Sequence, residues 1–226
     1  ILTFFRRLFG GSKGEPEPAD AGEDPTDSAV DAEEATSEGE GDLTRTGPSD
    51  SDGEPAPKGY LDLGALYVPR VPGLQLRGKF EKDKKVLSRM LLVLGQTGIT
   101  VSVAAAPKSG GAWEELSEQI EGAITAAGGK VARVEGPYGT ELDARIAGAL
   151  PDGTLGYTPL RIVGVEGPRW LVRLDIQGTA ISGDEEAREA AEDLIDALIV
   201  NRGPEPKIRF ELLPFQLPQE AVDGSN

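Results

Sequence analysis

The order of hydrophobic patterns along the chain predicts an α+β domain: an antiparallel sheet of about seven strands with two amphipathic helices packed on one face, preceded by a disordered acidic arm. Three observations lead there. Seven apolar segments bounded by Gly, Pro or polar turns read as strands. Two longer segments, one after the third strand and one after the seventh, switch to helical spacing. Ahead of all of them lies a stretch poor in apolar residues and free of aromatics.

The first segment, residues 1–13, reads ILTFFRRLFGGSK. On a helical wheel Ile1, Leu2, Phe4, Phe5, Leu8 and Phe9 share one side, while Thr3, Arg6 and Arg7 share the other. The run is too short to span a bilayer and lacks the cleavage pattern of a secretory signal. It reads as a docking peptide, for a partner or for a peripheral membrane contact, through Phe4, Phe5, Arg6, Arg7, Leu8 and Phe9; the plainer reading is a frayed end.

From Gly14 to Lys58 there are 15 acidic residues against two basic ones, Arg45 and Lys58. Such a segment buries too little apolar surface to offset the entropy of ordering it, so residues 14–59 are expected to form a disordered linker. Its roles would be a solvating tether, an acidic segment that folds back on a basic surface of the body, or a phosphorylation target around Thr44, Thr46, Ser49 and Ser51.

The folded body is expected over residues 60–218, with a loose end at 219–226. LDLGALYVPRVPG reads as an extended entry, because Pro69 and Pro72 argue against a central strand. Strands follow at Leu74 to Glu81, Val86 to Leu94 and Ile99 to Ala106, the last two joined by a tight turn at Gly95-Gln96-Thr97-Gly98. Trp113, Leu116, Ile120, Ile124 and Ala127 then recur at helical spacing, with Glu114, Glu115, Glu118 and Glu121 opposite and Gly128-Gly129 as the stop. Four more strands are expected at Lys130 to Glu135, Tyr138 to Ala147, Pro159 to Glu166 and Arg169 to Gly178. A second helix is expected from Asp184 to Val200, with Ser182 and Glu185 at capping-box spacing. KIRFELLPFQLP adds a final extended piece that Pro214 interrupts. Two smaller sheet-and-helix units side by side would use the same elements.

Composition narrows the chemistry. The chain has neither histidine nor cysteine, which removes the His-dependent triads, thiolate nucleophiles and the usual zinc ligand sets. No cofactor fingerprint or metal-loop spacing is present: PKSGGAW is not a phosphate-binding Walker loop, and LGQTGIT lies between strands. The net charge is −16, of which about −6 falls on residues 59–226, so nucleic acid is not an expected partner.

One tetrapeptide occurs twice, as VEGPYG at Val134 to Gly139 and VEGPRW at Val165 to Trp170. Both copies fall between expected strands, so both read as hairpin corners. Beside the second, Arg161, Arg169 and Arg173 with Trp170 suggest an anion-contacting surface for a partner's acidic segment or for the protein's own arm. The plainer reading is a ladder of surface ion pairs. The carboxylates Glu135, Glu141, Asp143 and Glu166 would serve a hydrolase if they lined one pocket.

The blocks LDLGALYVP, PGLQLR, AAAPKSGGAWEEL, VEGPYGTEL and PLRIVGVEGPRWLVR resemble the actinobacterial family known as domain of unknown function 3710 over residues 60–218, and its members share the acidic tether. The resemblance implies an actinobacterial, cytoplasmic protein and brings no activity, cofactor or catalytic residue with it. The element order is also similar to the small sheet-and-helix binding modules of the photosystem-accessory and Ran-release type, a likeness of fold alone. The expected function is therefore a non-enzymatic binding or adaptor module with an unknown protein partner. Its alternatives are a carboxylate-dependent hydrolase and a membrane-associated accessory protein on the inner membrane face.

Overall fold

The computed structural model describes residues 45–81, 84–150 and 153–216. The docking segment proposed for residues 1–13 lies outside them, as does the end of the chain from residue 217.

A seven-stranded antiparallel sheet forms the body. Its strands are β4 (Gln75–Glu81), β5 (Lys84–Leu94), β6 (Thr97–Ala105), β7 (Lys130–Gly136), β8 (Gly139–Ala149), β9 (Leu155–Gly167) and β10 (Trp170–Gly178), in the spatial order β4-β5-β6-β10-β9-β8-β7. Two-residue turns join β5 to β6, β7 to β8 and β9 to β10. The first is Gly95-Gln96, where Gly95 supplies a φ of +57°. A smaller sheet, ordered β1-β11-β3-β2, combines β1 (Ser49–Asp50), β2 (Tyr60–Asp62), β3 (Leu66–Pro69) and β11 (Ile199–Val200). The entry segment thus contains an inner strand after all. Pro69 is the last residue of β3, at the strand end, where a missing N–H costs little.

The helices are α1 (Ala112–Ala126) and α2 (Glu185–Asp196). They cover opposite faces of the large sheet and not one face, as the pattern had suggested. Leu66, Met90, Val101, Val172, Leu174 and Ile195 belong to one apolar cluster, under α2 and the small sheet. Leu116, Ile120, Leu142, Ile162 and Leu171 belong to the other, under α1. The physical reason lies in the central strands, where neighbouring positions such as Ile162-Val163 and Leu171-Val172 are all buried; successive side chains point to opposite faces, so both faces need cover. Each fully buried aliphatic side chain of this kind contributes roughly 1.5–3 kcal/mol.

Helix α2 is shorter than its apolar run. It stops at Asp196, and Ile199 and Val200 pair with β3 and β1 instead. Its cap is Asp184, whose carboxylate accepts from Ala187 N at 3.0 Å; Ser182 donates to Gly178 O one turn earlier. The segment after β11 fills the fork where β5 parts from β6. Leu213 N bonds to Val103 O at 2.8 Å and Phe215 N to Leu87 O at 2.6 Å, with Pro214, which has no N–H, between them.

The body begins upstream of Tyr60. Residues 45–51 run across the cluster under α2 and pair in parallel with β11 through Ser49 and Asp50. This short strap is polar, so nothing in its own pattern separates it from the linker.

Candidate functional site

The two VEGP corners turn at the same end of the large sheet, because β7-β8 and β9-β10 are adjacent hairpins. The surroundings of the two differ. At the first corner the left-handed residue is Gly139, with φ +84°. The carboxylate of Glu141 lies over Gly136, so close that a Cβ there would come within 2.3 Å. Glu141 is only 2% exposed. It accepts from Arg161 Nε at 2.6 Å, from Arg161 Nη2 at 3.0 Å and from Tyr138 N at 3.2 Å. Arg161 Nη1 continues to Glu192 of α2 at 2.7 Å. Burial alone would lower the pKa of Arg161, but the hydrogen bonds and charges of Glu141 and Glu192 outweigh it and push the pKa up.

The strap closes this chain of charges. Arg45 lies 3.2 Å from Glu192, 2.8 Å from Asp193 and 2.9 Å from Asp196. Arg45 N donates to Pro137 O at the corner itself, and Gly47 N donates to Asp196. The Tyr138 hydroxyl donates to Glu192 O at 3.1 Å. Burial, with the nearby charges of Asp196 and Glu192, holds that phenol well above its usual pKa. The contact has the reverse polarity of an acidic arm on a basic surface: the single cation of the acidic stretch up to Pro57 sits on an acidic helix.

At the second corner Glu166 accepts from Trp113 N at 2.7 Å and so serves the start of α1, whose N-cap Gly111 offers no side chain. The Trp113 indole lies on Gly164, and its Nε1 reaches Thr140 O at 2.7 Å. Trp170 is 1% exposed and donates from Nε1 to Asp50 of the strap at 2.5 Å. The residue that turns this corner is Arg169, a non-glycine held at φ +65°. Its carbonyl accepts from Ala106 N at 3.0 Å and from Arg202 Nε at 3.2 Å.

The four residues singled out at the second hairpin therefore do not form one surface. Arg161 belongs to the first corner's ion network. Arg173, 2% exposed, is paired with Asp175 at 2.7 Å and alternates with core residues so that it points to the α1 face. Trp170 is a core anchor. Arg169 alone occupies the turn. The four carboxylates proposed for hydrolysis separate as well: Glu135 accepts from Thr140 Oγ1, Glu141 pairs with Arg161, Asp143 lies 3.9 Å from Arg145, and Glu166 holds α1. Among the described residues no group of three or more acidic side chains is placed to hold a metal ion, and no helix is long and apolar enough to cross a membrane.

A family model described as protein of unknown function (DUF3710) matches residues 47–224. The chain belongs to that family. No curated protein and no solved structure matches it. The DUF3710 match begins within the strap, in keeping with a domain that extends upstream of Tyr60. Sequence reasoning missed two residues, one just before the DUF3710 match and one within it. Arg45 carried a legible signal, as a lone cation in an acidic run. Arg202, in the polar loop Asn201-Arg202-Gly203-Pro204, carried none.

Proposed function

We propose that this protein is a non-enzymatic binding module that engages the acidic segment of a partner protein at the second VEGP corner. The observation that supports this reading is Arg169, a non-glycine residue held at φ +65°, on a turn whose sister corner takes its left-handed conformation one position later, at the glycine Gly139. Backbone strain of this kind costs on the order of 1–3 kcal/mol and concentrates at sites of function. The acidic groups Glu141, Asp175 and Glu166 have partners within the fold, which leaves the hydrolase reading without a set of convergent groups. Docking through residues 1–13 would tether the module to a second surface, of a protein or a membrane, through the linker. A photocrosslinking residue at exposed Lys108, which lies two positions beyond the Ala106 contact to Arg169, tests the reading in cells. The expected result is a discrete protein adduct that Arg169→Glu abolishes. Adduct formation unaffected by that change would overturn it.

A further inference from the structure

The charge environment of the second corner suggests what chemistry the partner presents. Arg202 is fixed in place by carbonyl oxygens: Nε donates to Arg169 O at 3.2 Å, and Nη1 to Glu205 O at 2.9 Å and Gly203 O at 3.5 Å. Among the described residues, Nη2 of Arg202 and the whole guanidinium of Arg169 have no hydrogen-bond or ion-pair partner. The nearby acidic groups are committed elsewhere. Glu211 accepts from Ile208 N at 3.0 Å and pairs with Lys207 at 3.1 Å, and Glu115 pairs with Arg209.

Three unfavourable features therefore coincide at one point. Arg169 adopts a strained backbone. The Arg202 side chain is bonded to the Arg169 backbone, and burial and then the charge of Arg169 lower the pKa of Arg202, with Glu211 acting in the opposite sense. Arg202 is also partly desolvated, offset only in part by the charge of Glu211, which is itself paired with Lys207. An oxyanion between the two side chains offsets the second and third features at once, and arginine forks match carboxylate and phosphoryl oxygens in pairs. The site is prepared in advance, since Arg202 is already held by three carbonyls.

We propose that Arg169 and Arg202 form an oxyanion site for a carboxylate or phosphoryl group on an acidic peptide, which rests on the reading of this corner as a contact surface. A short peptide suits the site better than a long polyanion, because the net charge of −16 repels an extended one.

Calorimetry on the full chain at low ionic strength provides the test, with an acetylated hexaglutamate peptide, a Gly/Ser peptide carrying one phosphoserine, and inorganic phosphate as probes. At least one peptide binds, and the tighter of the two identifies the anionic group. Arg169→Gly and Arg202→Lys each weaken it by about tenfold or more, as expected for loss of a charge-assisted hydrogen bond. Arg145→Ala, at a half-exposed arginine on β8, leaves binding unchanged. Unchanged affinity in Arg169→Gly, binding of inorganic phosphate without either peptide, or binding of no probe would each overturn the site. Peptide binding with no cellular adduct at position 108 would instead keep the site and remove the proposed partner.

Discussion

The two corners share the residues Val-Glu-Gly-Pro and differ in the next two, Tyr138-Gly139 in one and Arg169-Trp170 in the other. In the first, glycine takes the left-handed conformation and the glutamate two positions on is locked into a buried ion network with Arg161, Glu192 and Arg45. In the second, arginine takes the left-handed conformation and the tryptophan packs inward over Gly167. The shared tetrapeptide is thus a way of turning a strand. What each corner does is set by the residues after it: the first fastens strap, sheet and helix together, and the second turns a cation at the surface.

The comparison can be broken at the first corner most severely. Arg161→Met leaves Glu141 buried without its cation, and a loss of about 3–5 kcal/mol is expected in denaturant unfolding. A loss below about 1 kcal/mol would show the network to be peripheral. Next come the glycines beneath the two corners. A Cβ at Gly167 would lie 2.0 Å from the Trp170 indole, and one at Gly136 would lie 2.3 Å from the Glu141 carboxylate. Gly167→Ala and Gly136→Ala should each cost about 1–3 kcal/mol, the former more because an indole ring cannot bend away. Equal tolerance of both would remove the idea that close approach requires glycine here.

A third effect separates the two VEGP glutamates. Glu166→Ala removes the side-chain acceptor that Trp113 N uses at the start of α1 and should cost about 1 kcal/mol. Glu135→Ala, which loses one exposed bond to Thr140, should lie within about 0.5 kcal/mol of the parent. A smaller effect concerns alkaline stability. The Tyr138 pKa is raised in the folded state, so its contribution is fully present below the unfolded value of about 10 and is lost as pH rises beyond it. Tyr138→Phe should reduce the loss of stability between about pH 10 and 12 relative to the parent, and an unaltered alkaline limb would contradict the burial of the phenol.

The sheet was largely legible because alternation, tight turns and Gly/Pro punctuation agree along its strands. The hidden parts are those whose cause is tertiary. Ser49 and Asp50 are polar and become a strand only because β11 offers an edge and Trp170 an N–H donor. Leu198 to Val200 continue the apolar run of α2, yet β3 takes Ile199 and Val200 into the small sheet. The placement of the helices on opposite faces is present in the consecutive apolar pairs of β9 and β10, but the strict alternation elsewhere in the same strands masks it. At the site, charge type was readable and direction was not: Arg161, Arg169 and Arg173 lie close in sequence and have three different environments. The cation proposed here for partner contact could be named only once the backbone of Arg169 and the anchoring of Arg202 were known.

The central claim is that the second corner retains an arginine, at some loss of stability, for contact and not for folding. Denaturant unfolding of Arg169→Gly beside Gly139→Ala tests it most directly. Relief of the left-handed strain should make Arg169→Gly more stable by about 0.5–1 kcal/mol, whereas Gly139→Ala, which introduces the same strain, should be less stable by about 1 kcal/mol. If Arg169→Gly proves as destabilising as Gly139→Ala, the arginine is a structural part of the turn and the account of this corner fails.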